Sequence, residues 1–341
     1  MKYKKNIEDE KKKNDLKIVI LDYPRENPGE INWEGFEAFG EVKRYARTLP
    51  GQVAKRIGDA DIVFLNKTVV TKEDLIQCPN LKFISVIATG YNTVDVKAAA
   101  ELGIMVANVP SYGTEAIGQH AIALLLEVTN HVGYHDGEVR KGRKIDANDW
   151  CFWDYPCIEL EHKTMGIIGL GRIGQITARV AGAFGMKVLA YDSIKHKELE
   201  NENCKYTDLE TLLKSSDVIA LHCPLFPETE NLINVKTIAK MKDGVIIINN
   251  SRGGLIVEED LAEALNSGKV YAAGLDTVRN EPIAMDNPLL KAKNCYITPH
   301  ISWAALECRQ RLVDYSLDNL KAFLEGSPKN IVNEVKKGVC A

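Results

Sequence analysis

The sequence predicts an α/β protein with two doubly wound parallel sheets. Short β-branched runs alternate with helix-like segments about every 20 to 25 residues from Leu16 onward, which is the rhythm of βαβ units. A length of 341 residues, at about 150 residues per domain, allows roughly two domains. The apolar runs also form two series, separated by a long apolar helix-like stretch and an irregular tryptophan-rich segment.

The first series contains four candidate strands, each running into a polar residue or a glycine. They span residues 16–21, 61–65, 83–88 and 104–108. A crossover helix over 114–132 is predicted to lead to the second series, because this stretch is amphipathic and contains no proline.

Six candidate strands form the second series, enough for two βαβαβ halves. They span residues 165–169, 187–191, 218–221, 245–249, 270–275 and 295–298. A last helix over 304–324 follows, and we expect it to pack back on the first lobe. That lobe would then be discontinuous in sequence.

Composition excludes several classes of protein. The 43 Lys and Arg nearly balance the 47 Asp and Glu, so no basic field favours a nucleic-acid partner. No apolar run approaches the roughly 20 residues that cross a bilayer. Eight cysteines without a C-x-x-C pair, and no recognisable secretory signal, favour reduced thiols in the cytoplasm. Residues 1–15 are a mixed charge run and are expected to form a disordered or solvated arm.

The segment MGIIGLGRIGQ carries a phosphate-binding pattern. It places Gly169, Gly171 and Gly174 in G-x-G-x-x-G spacing between a predicted strand and a predicted helix. The first glycine permits the tight turn, the second admits a pyrophosphate to the backbone, and the third lets helix and strand pack closely. The next strand ends at Asp192, where a carboxylate would bind ribose hydroxyls. The combination predicts a Rossmann domain that binds a dinucleotide.

Asp192 also bears on the choice of cofactor. A 2′-phosphate would be repelled by this carboxylate, and no arginine directly follows it to offset the repulsion. NAD is therefore predicted in preference to NADP, although Lys195 and Lys197 lie just downstream and leave the strictness of that preference open.

Three polar side chains follow later strands of the same lobe: Arg252, Glu281 and His300. Ligands of open α/β sheets bind beyond the carboxyl ends of the strands, so we expect these side chains to converge on one crevice. His300 would act as general acid in reduction of a ketone and as general base in oxidation, with Glu281 orienting its other ring nitrogen. Arg252 would hold a substrate carboxylate and polarise the adjacent carbonyl.

These residues make the chain resemble the D-isomer-specific 2-hydroxyacid dehydrogenase family from about residue 17 to 333. The matching segments, in order, are GLGRIG followed by Asp192, LHCPLFPETENLIN, MKDGVIIINNSRGGLIVEEDLAEAL, AAGLDTVRNEP and TPHISWA. In that family the arginine, glutamate and histidine at the matching positions are catalytic. The resemblance also implies a homodimer built through the dinucleotide domain.

The resemblance implies further cofactor contacts that spacing alone does not reveal. Arg172 and Ile173 would offer backbone amides to the pyrophosphate. His222, Cys223 and Pro224 would border the adenosine, and Thr229 would lie near the dinucleotide. Asn250, Ser251 and Asp276 would lie at the nicotinamide end, Thr114 would face the cofactor phosphate or the nicotinamide, and Arg252 would also contact the cofactor.

Two sequence segments indicate the expected substrate. ATGYNTVD and VPSYGTEAIGQHAIALLLE resemble the hydroxypyruvate reductase (glycerate dehydrogenase) branch of the family. Thr89 and Gly90 would present backbone amides to the substrate carboxylate. Lys67 would meet a substrate hydroxyl, but an exposed loop lysine is an equal alternative. Two departures from the family pattern leave the substrate preference open. Gln119 stands where an acidic residue is frequent, and DTVRN stands where an aromatic residue is common.

The sequence therefore predicts a flavodoxin-like substrate (catalytic) domain of residues 16–112 and 305–341, into which an NAD-binding Rossmann domain of residues 113–304 is inserted. The predicted reaction is NADH-dependent reduction of hydroxypyruvate to D-glycerate, with no metal. Two alternatives remain: a broader reductase of glyoxylate or branched-chain 2-oxoacids, and an NAD-sensing interaction protein.

Overall fold

The computed structural model describes residues 16–23, 30–143 and 150–335. The expected arm, residues 1–15, lies outside the described residues. The chain divides into two compact units: a first unit of Met1–Tyr112 with Ala305–Ala341, and a second unit of Gly113–Ala304. Each unit contains one parallel sheet, which confirms the predicted α/β class.

The first unit is built on a five-stranded parallel sheet within the described residues. Its strands are β1 (Leu16–Ile20), β2 (Gly40–Arg44), β3 (Ile62–Leu65), β4 (Phe83–Val86) and β5 (Met105–Ala107). They are ordered β2-β1-β3-β4-β5, the flavodoxin-like order that was expected. β3 and β4 are buried along their whole length, as the centre of a parallel sheet requires.

Strand β2 corrects the prediction of four strands for this unit. Its sequence, GEVKR, contains one apolar side chain and alternates between half-buried and exposed positions at the edge of the sheet. Such a strand carries no apolar run, and an apolar run is the signal by which the other four strands were recognised.

The second unit is built on a seven-stranded parallel sheet within the described residues. Its strands are β6 (Thr164–Ile168), β7 (Lys187–Tyr191), β8 (Cys204–Tyr206), β9 (Val218–Leu221), β10 (Val245–Asn249), β11 (Val270–Leu275) and β12 (Cys295–Ile297). The order β12-β11-β10-β9-β6-β7-β8 contains the 3-2-1-4-5-6 arrangement of dinucleotide-binding sheets, with β12 added at one edge.

Six strands were expected in this unit, and β8 is the one that was missed. It has three residues, lies at the opposite edge from β12, and buries only Cys204. A segment this short carries no readable alternation of apolar and polar residues.

Ten α-helices surround the two sheets within the described residues. They are α1 (Val53–Ile57), α2 (Lys72–Ile76), α3 (Val96–Glu101), α4 (Thr114–Asn130), α5 (Val132–Arg140), α6 (Arg172–Ala183), α7 (Leu209–Ser215), α8 (Val235–Ile238), α9 (Glu258–Ser267) and α10 (Leu306–Leu324). α10 packs on the first sheet, where the Phe323 ring stacks on Phe83 with centroids 4.6 Å apart. None of these helices is long and apolar enough to cross a membrane.

The predicted helix over 114–132 is divided at His131, which corrects its length. His131 has a left-handed φ of 52° and lies between α4 and α5. Its ring is fully buried, lies 2.7 Å from the Tyr296 hydroxyl through Nδ1, and packs against the Tyr155 ring. Since the side chain is held inside the unit, we infer that the backbone changes direction at this residue instead of continuing the helix.

Candidate active site

The glycine loop lies between β6 and α6, as predicted. A Cβ atom on Gly169, whose φ is +97°, would lie 2.6 Å from the backbone nitrogen of Cys223, and one on Gly174 would lie 2.2 Å from the carbonyl oxygen of Gly169. Both positions therefore require glycine. A Cβ on Gly171 would meet no atom within 4 Å, so the space before the N-terminus of α6 is open. Arg172 and Ile173 begin this 12-residue helix, where unpaired amides favour an anion.

Asp192 follows β7 and is tied to the glycine loop. Its Oδ2 accepts a hydrogen bond from the backbone N–H of Leu170 at 2.8 Å, and its Oδ1 accepts one from Ile194 at 3.2 Å. A half-buried carboxylate beside an open glycine loop fits the ribose and pyrophosphate of a dinucleotide.

The turn after β9 borders the same loop. Both ring nitrogens of His222 are buried without a hydrogen-bond partner, and desolvation lowers the pKa of this histidine to about 4. The ring is therefore neutral at physiological pH. Burial raises the pKa of the Cys223 thiol to about 11, so this cysteine is not a reactive thiolate.

Thr229 and Pro224 belong to that turn and interact with each other. The Thr229 hydroxyl donates to the Pro224 carbonyl at 2.7 Å and accepts from the Phe226 N–H at 2.8 Å. The hydroxyl thus stabilises its own turn, and its contact with a dinucleotide stays a prediction.

Three adjacent strands carry the predicted catalytic side chains: Arg252 follows β10, Glu281 follows β11 and His300 follows β12. The structure brings two of them together, since Nδ1 of His300 lies 2.7 Å from Oε2 of Glu281. Both side chains are about one-third exposed, at 33% and 36%. The pairing leaves Nε2 of His300 as the ring nitrogen available to a ligand, and no described side chain bonds to it.

Arg252 is exposed at the carboxyl end of its strand. Its guanidinium donates to the carbonyl of Ser251 at 2.7 Å, and its own carbonyl accepts from the Asn249 side chain at 2.9 Å. The Ser251 hydroxyl donates to the Leu221 carbonyl at 2.7 Å. Hydrogen bonds thus fix the backbone of this loop while most of the Arg252 fork stays available for a carboxylate.

Asp276, expected near the nicotinamide, organises the loop that carries His300. This carboxylate is 1% exposed and accepts four hydrogen bonds of 2.6–2.8 Å, from the hydroxyls of Thr298 and Ser302 and the backbone N–H groups of Ile301 and Ser302. His300 itself has a left-handed φ of 55°. A buried acid therefore holds a loop of unusual backbone conformation, and any contact of Asp276 with a cofactor stays a prediction.

Asn250 and His120 extend this network, and His120 was not predicted from the sequence as a site residue. Nε2 of His120 lies 3.2 Å from the Thr298 hydroxyl and 3.6 Å from Asp276 Oδ1. The Asn250 side chain donates to the Ile117 carbonyl at 2.8 Å, while its Oδ1 is buried without a partner. That unpaired acceptor suits an N–H donor such as a carboxamide. Thr114, expected to face the cofactor phosphate or the nicotinamide, is the first residue of α4.

The predicted substrate residues lie in the first unit, at the ends of two neighbouring strands. Thr89 and Gly90 follow β4, where the Thr89 hydroxyl donates to the Val109 carbonyl at 2.9 Å and Gly90 is exposed. Lys67 follows β3, and its side chain is exposed. The geometry permits backbone recognition at Gly90 and leaves the role of Lys67 a prediction.

Asp22 was not predicted from the sequence as a site residue. Its Oδ2 accepts from three consecutive backbone N–H groups, those of residues 66–68, at 2.8–3.0 Å, and its Oδ1 accepts from the Thr68 hydroxyl at 2.6 Å. It directly holds the loop that presents Lys67. An acidic residue placed just after the first strand was the available signal.

Within residues 16–23, 30–143 and 150–335, no three His, Cys, Asp or Glu side chains form a possible metal site. The chemistry that the site offers is an imidazole, a carboxylate and a guanidinium at one end of the sheet, with a glycine loop on the same sheet.

Comparison with known proteins agrees with this arrangement. Residues 122–302 match the family model described as "D-isomer specific 2-hydroxyacid dehydrogenase, NAD binding domain". The chain is 62% identical over 322 residues to a hydroxypyruvate reductase of Blautia hydrogenotrophica, covering 94% of this chain and 100% of that protein. It is 39% identical over 295 residues to a glycerate dehydrogenase of Methylorubrum extorquens, covering 86% and 92%.

A solved structure extends the likeness to three dimensions. The TT0316 protein from Thermus thermophilus matches with a TM-score of 0.81 and 33% identity, covering 93% of this chain and 100% of that one. The family model, the two relatives and the solved structure agree with the glycine loop and the His300–Glu281 pair. The chain therefore belongs to the D-isomer-specific 2-hydroxyacid dehydrogenases, a family of oxidoreductases that use a nicotinamide cofactor.

Proposed function

We propose that this protein reduces hydroxypyruvate to D-glycerate with NADH. The observation that carries the proposal is the 62% identity, over nearly the whole chain, to a protein named hydroxypyruvate reductase. The chemistry is supported by the 2.7 Å pair of His300 and Glu281 next to the arginine-bearing strand. Hydroxypyruvate offers the two groups that this chemistry needs, a carboxylate and an adjacent ketone.

In the proposed mechanism His300 is the general acid. Its Nδ1 is held by Glu281, so Nε2 would give a proton to the alkoxide oxygen that forms as the ketone is reduced. The nicotinamide, when bound, supplies the hydride. In the reverse direction the same nitrogen would take the proton from the alcohol.

Arg252 would bind the substrate carboxylate through its planar fork and stabilise the charge that develops on the ketone oxygen. The backbone amides at Thr89 and Gly90 are proposed as further substrate contacts. In this proposal the first unit is the substrate domain and the second unit is the cofactor domain. Asp276 and Asp22 would act indirectly, by holding the loops of His300 and Lys67.

NAD is the proposed cofactor in preference to NADP. Asp192 is held by two backbone N–H groups beside the glycine loop, so its charge lies near the position of an adenosine ribose. A 2′-phosphate there would be repelled, because like charges at close range disfavour binding.

A homodimer formed through the second unit is also proposed. α5 exposes Val132 and Val139, and residues 150–153 expose Trp150 and Trp153, of which Trp150 is 90% exposed. Clusters of exposed aromatic and aliphatic side chains are typical of protein interfaces. Sedimentation of the purified protein would test this state.

A substrate panel tests the proposed function. Purified protein should consume NADH with hydroxypyruvate at a far higher kcat/KM than with pyruvate, glyoxylate or 2-oxoisocaproate, and NADPH should be a poorer cofactor. Preference for glyoxylate or 2-oxoisocaproate would instead support a broader 2-oxoacid reductase. No turnover with any 2-oxoacid would favour the NAD-sensing alternative.

A further inference from the structure

Arg279 lies two residues before Glu281, and its guanidinium crosses to the turn that follows β9. Nη1 donates to Glu230 Oε1 at 3.2 Å, and Nη2 donates to the side-chain oxygen of Asn231. Asn231 has a left-handed φ of 55°, and its backbone N–H donates to the Gly254 carbonyl at 2.9 Å. Arg279 is thus attached to a turn that is itself bonded to the loop of Arg252.

The same guanidinium also reaches the loop of Arg252 directly. Nη2 donates to the carbonyl of Ile256 at 3.3 Å and lies 3.5 Å from the carbonyl of Gly254. Arg252 is the N-cap residue of the 3₁₀ turn Gly253–Leu255. Gly254 belongs to this turn, and Ile256 directly follows it. One side chain therefore joins the loop of Glu281 to the loop of Arg252.

The two loops also touch through their backbones. A Cβ on Gly253 would lie 1.9 Å from the carbonyl carbon of Val278 and 2.3 Å from the nitrogen of Arg279. Only glycine allows this approach. The loop of Arg252 is therefore packed directly against the backbone at Val278 and Arg279. Because this contact is close, a small movement of the loop of Arg252 would displace the loop of Glu281.

A buried acid fixes the backbone at this junction. Glu258 is 8% exposed, and its Oε1 accepts from the backbone N–H of Arg279 at 2.7 Å. Its Oε2 accepts from the Asn287 side chain at 2.8 Å. Both oxygens of Glu258 are used inside the second unit, so Arg279 is anchored through its backbone as well as through its side chain.

This junction leads to the proton donor. The backbone N–H of Val278 donates to Oε1 of Glu281 at 3.4 Å, and Oε2 of Glu281 lies 2.7 Å from His300 Nδ1. Val278, which directly precedes Arg279, therefore bonds one oxygen of Glu281, and the other oxygen of Glu281 orients the imidazole of His300.

We propose that Arg279 is a positioning residue that sets the placement of Arg252 relative to the Glu281–His300 pair. This placement determines the distance and orientation between the substrate carboxylate, which Arg252 holds, and the proton donor, His300. The inference rests on the proposed function, in which Arg252 binds the carboxylate and His300 gives the proton. Arg279 acts through these groups and does not touch the substrate.

The test compares Arg279→Met and Arg279→Lys with the wild-type protein, each as the full chain. Methionine removes every hydrogen bond of the guanidinium, while lysine keeps the charge but offers one ammonium in place of a fork. A misplacement of about 1 Å can cost on the order of 10²-fold in rate. We expect both variants to lose about 10-fold to 10²-fold in kcat/KM for hydroxypyruvate, through lower kcat and higher KM together, with less than about threefold change in NADH affinity.

The split between kcat and KM separates positioning from mere structural support. Arg279→Met should lower kcat and raise KM for hydroxypyruvate, whereas general destabilisation would lower the fraction of active protein and leave KM unchanged. A folded Arg279→Met protein with wild-type kcat and KM would overturn the proposal. An Arg279→Lys protein indistinguishable from wild type would also overturn it, since charge alone would then suffice.

Two further variants complete the design. Arg44→Met is the matched control, because Arg44 also pairs with a glutamate, Glu37, and a backbone carbonyl, but on β2 of the first unit; it should keep wild-type kinetics. If Arg279→Met fails to fold, Asn231→Gly removes one acceptor of the guanidinium while tolerating the left-handed φ, and should lower kcat/KM in the same direction. An unchanged kcat/KM in Asn231→Gly would overturn the proposal.

Failure of the proposed function is distinguishable from failure of this inference. If the wild-type protein does not reduce hydroxypyruvate, or His300→Ala remains fully active, the proposed function fails. If wild type is active and His300→Ala is not, while Arg279→Met behaves as wild type, only the role of Arg279 fails.

Discussion

The glycine loop and the catalytic side chains belong to the same sheet but are built on different principles. The loop works through backbone geometry: Gly169 and Gly174 are required by close approach, and Gly171 leaves open space before α6. The catalytic end works through side chains, whose positions depend on buried acids and crossing hydrogen bonds such as those of Asp276 and Arg279. Binding of the cofactor and proton transfer should therefore be separable by mutation.

The largest expected effect lies at the catalytic end. His300→Ala should lower kcat for reduction by about 10²-fold to 10⁴-fold, the usual contribution of a general acid. NADH affinity, measured by fluorescence titration, should change little. The matched control is His162→Ala, because His162 also has a positive φ, 63°, and lies 3.8 Å from a glutamate, yet is outside the predicted site. Equal losses in both variants would contradict the assignment.

A second prediction concerns the buried histidine behind the glycine loop. Desolvation lowers the pKa of His222 to about 4 in the folded protein, against about 6.5 when unfolded. Between these values the unfolded chain binds more protons, so stability should fall as pH falls from 6.5 toward 4. The loss at pH 5 is about 2 kcal/mol by linkage.

The measurement is denaturant unfolding of wild type and His222→Gln at pH 7 and pH 5. The decline should be smaller in the variant. It should not vanish, because burial also lowers the pKa of His131 and adds to the decline in the same direction. An identical decline in both proteins would place His222 in a more hydrated setting than the structure shows.

The smallest expected effect tests the cofactor end alone. Gly171→Ala adds a methyl group to the open space before α6, where the φ of −71° suits alanine. Because the added Cβ meets no protein atom within 4 Å, stability should hold or rise slightly. A bound pyrophosphate would meet the methyl group, so we expect NADH affinity to fall about tenfold, or about 1.4 kcal/mol.

Gly182→Ala, at the other end of α6, is the control for this substitution, since its Cβ would also meet nothing within 4 Å. It should leave NADH affinity unchanged. If Gly171→Ala binds NADH as tightly as wild type, the pyrophosphate does not approach Gly171 in the expected way.

Much of the fold could be predicted from the sequence because its central strands carry continuous apolar runs. Four strands of the second sheet, β7, β9, β10 and β11, have the predicted bounds. Strand β2 was missed because it contains a single apolar side chain, and β8 because three residues show no readable alternation. The break at His131 was missed because it depends on contacts with Tyr296 and Tyr155. Those partners are distant in sequence, and no local pattern records them.

By itself the sequence determined the glycine loop and the identity of the candidate catalytic side chains, since both follow from short segments at the ends of apolar strands. Only the tertiary structure decided which side chains pair: that Glu281 meets His300 at 2.7 Å, that Asp276 holds the His300 loop, and that Arg279 joins the loops of Glu281 and Arg252. The physical reason is that these hydrogen bonds link residues 19 or more positions apart. Their geometry depends on how the loops pack once the parallel strands are side by side.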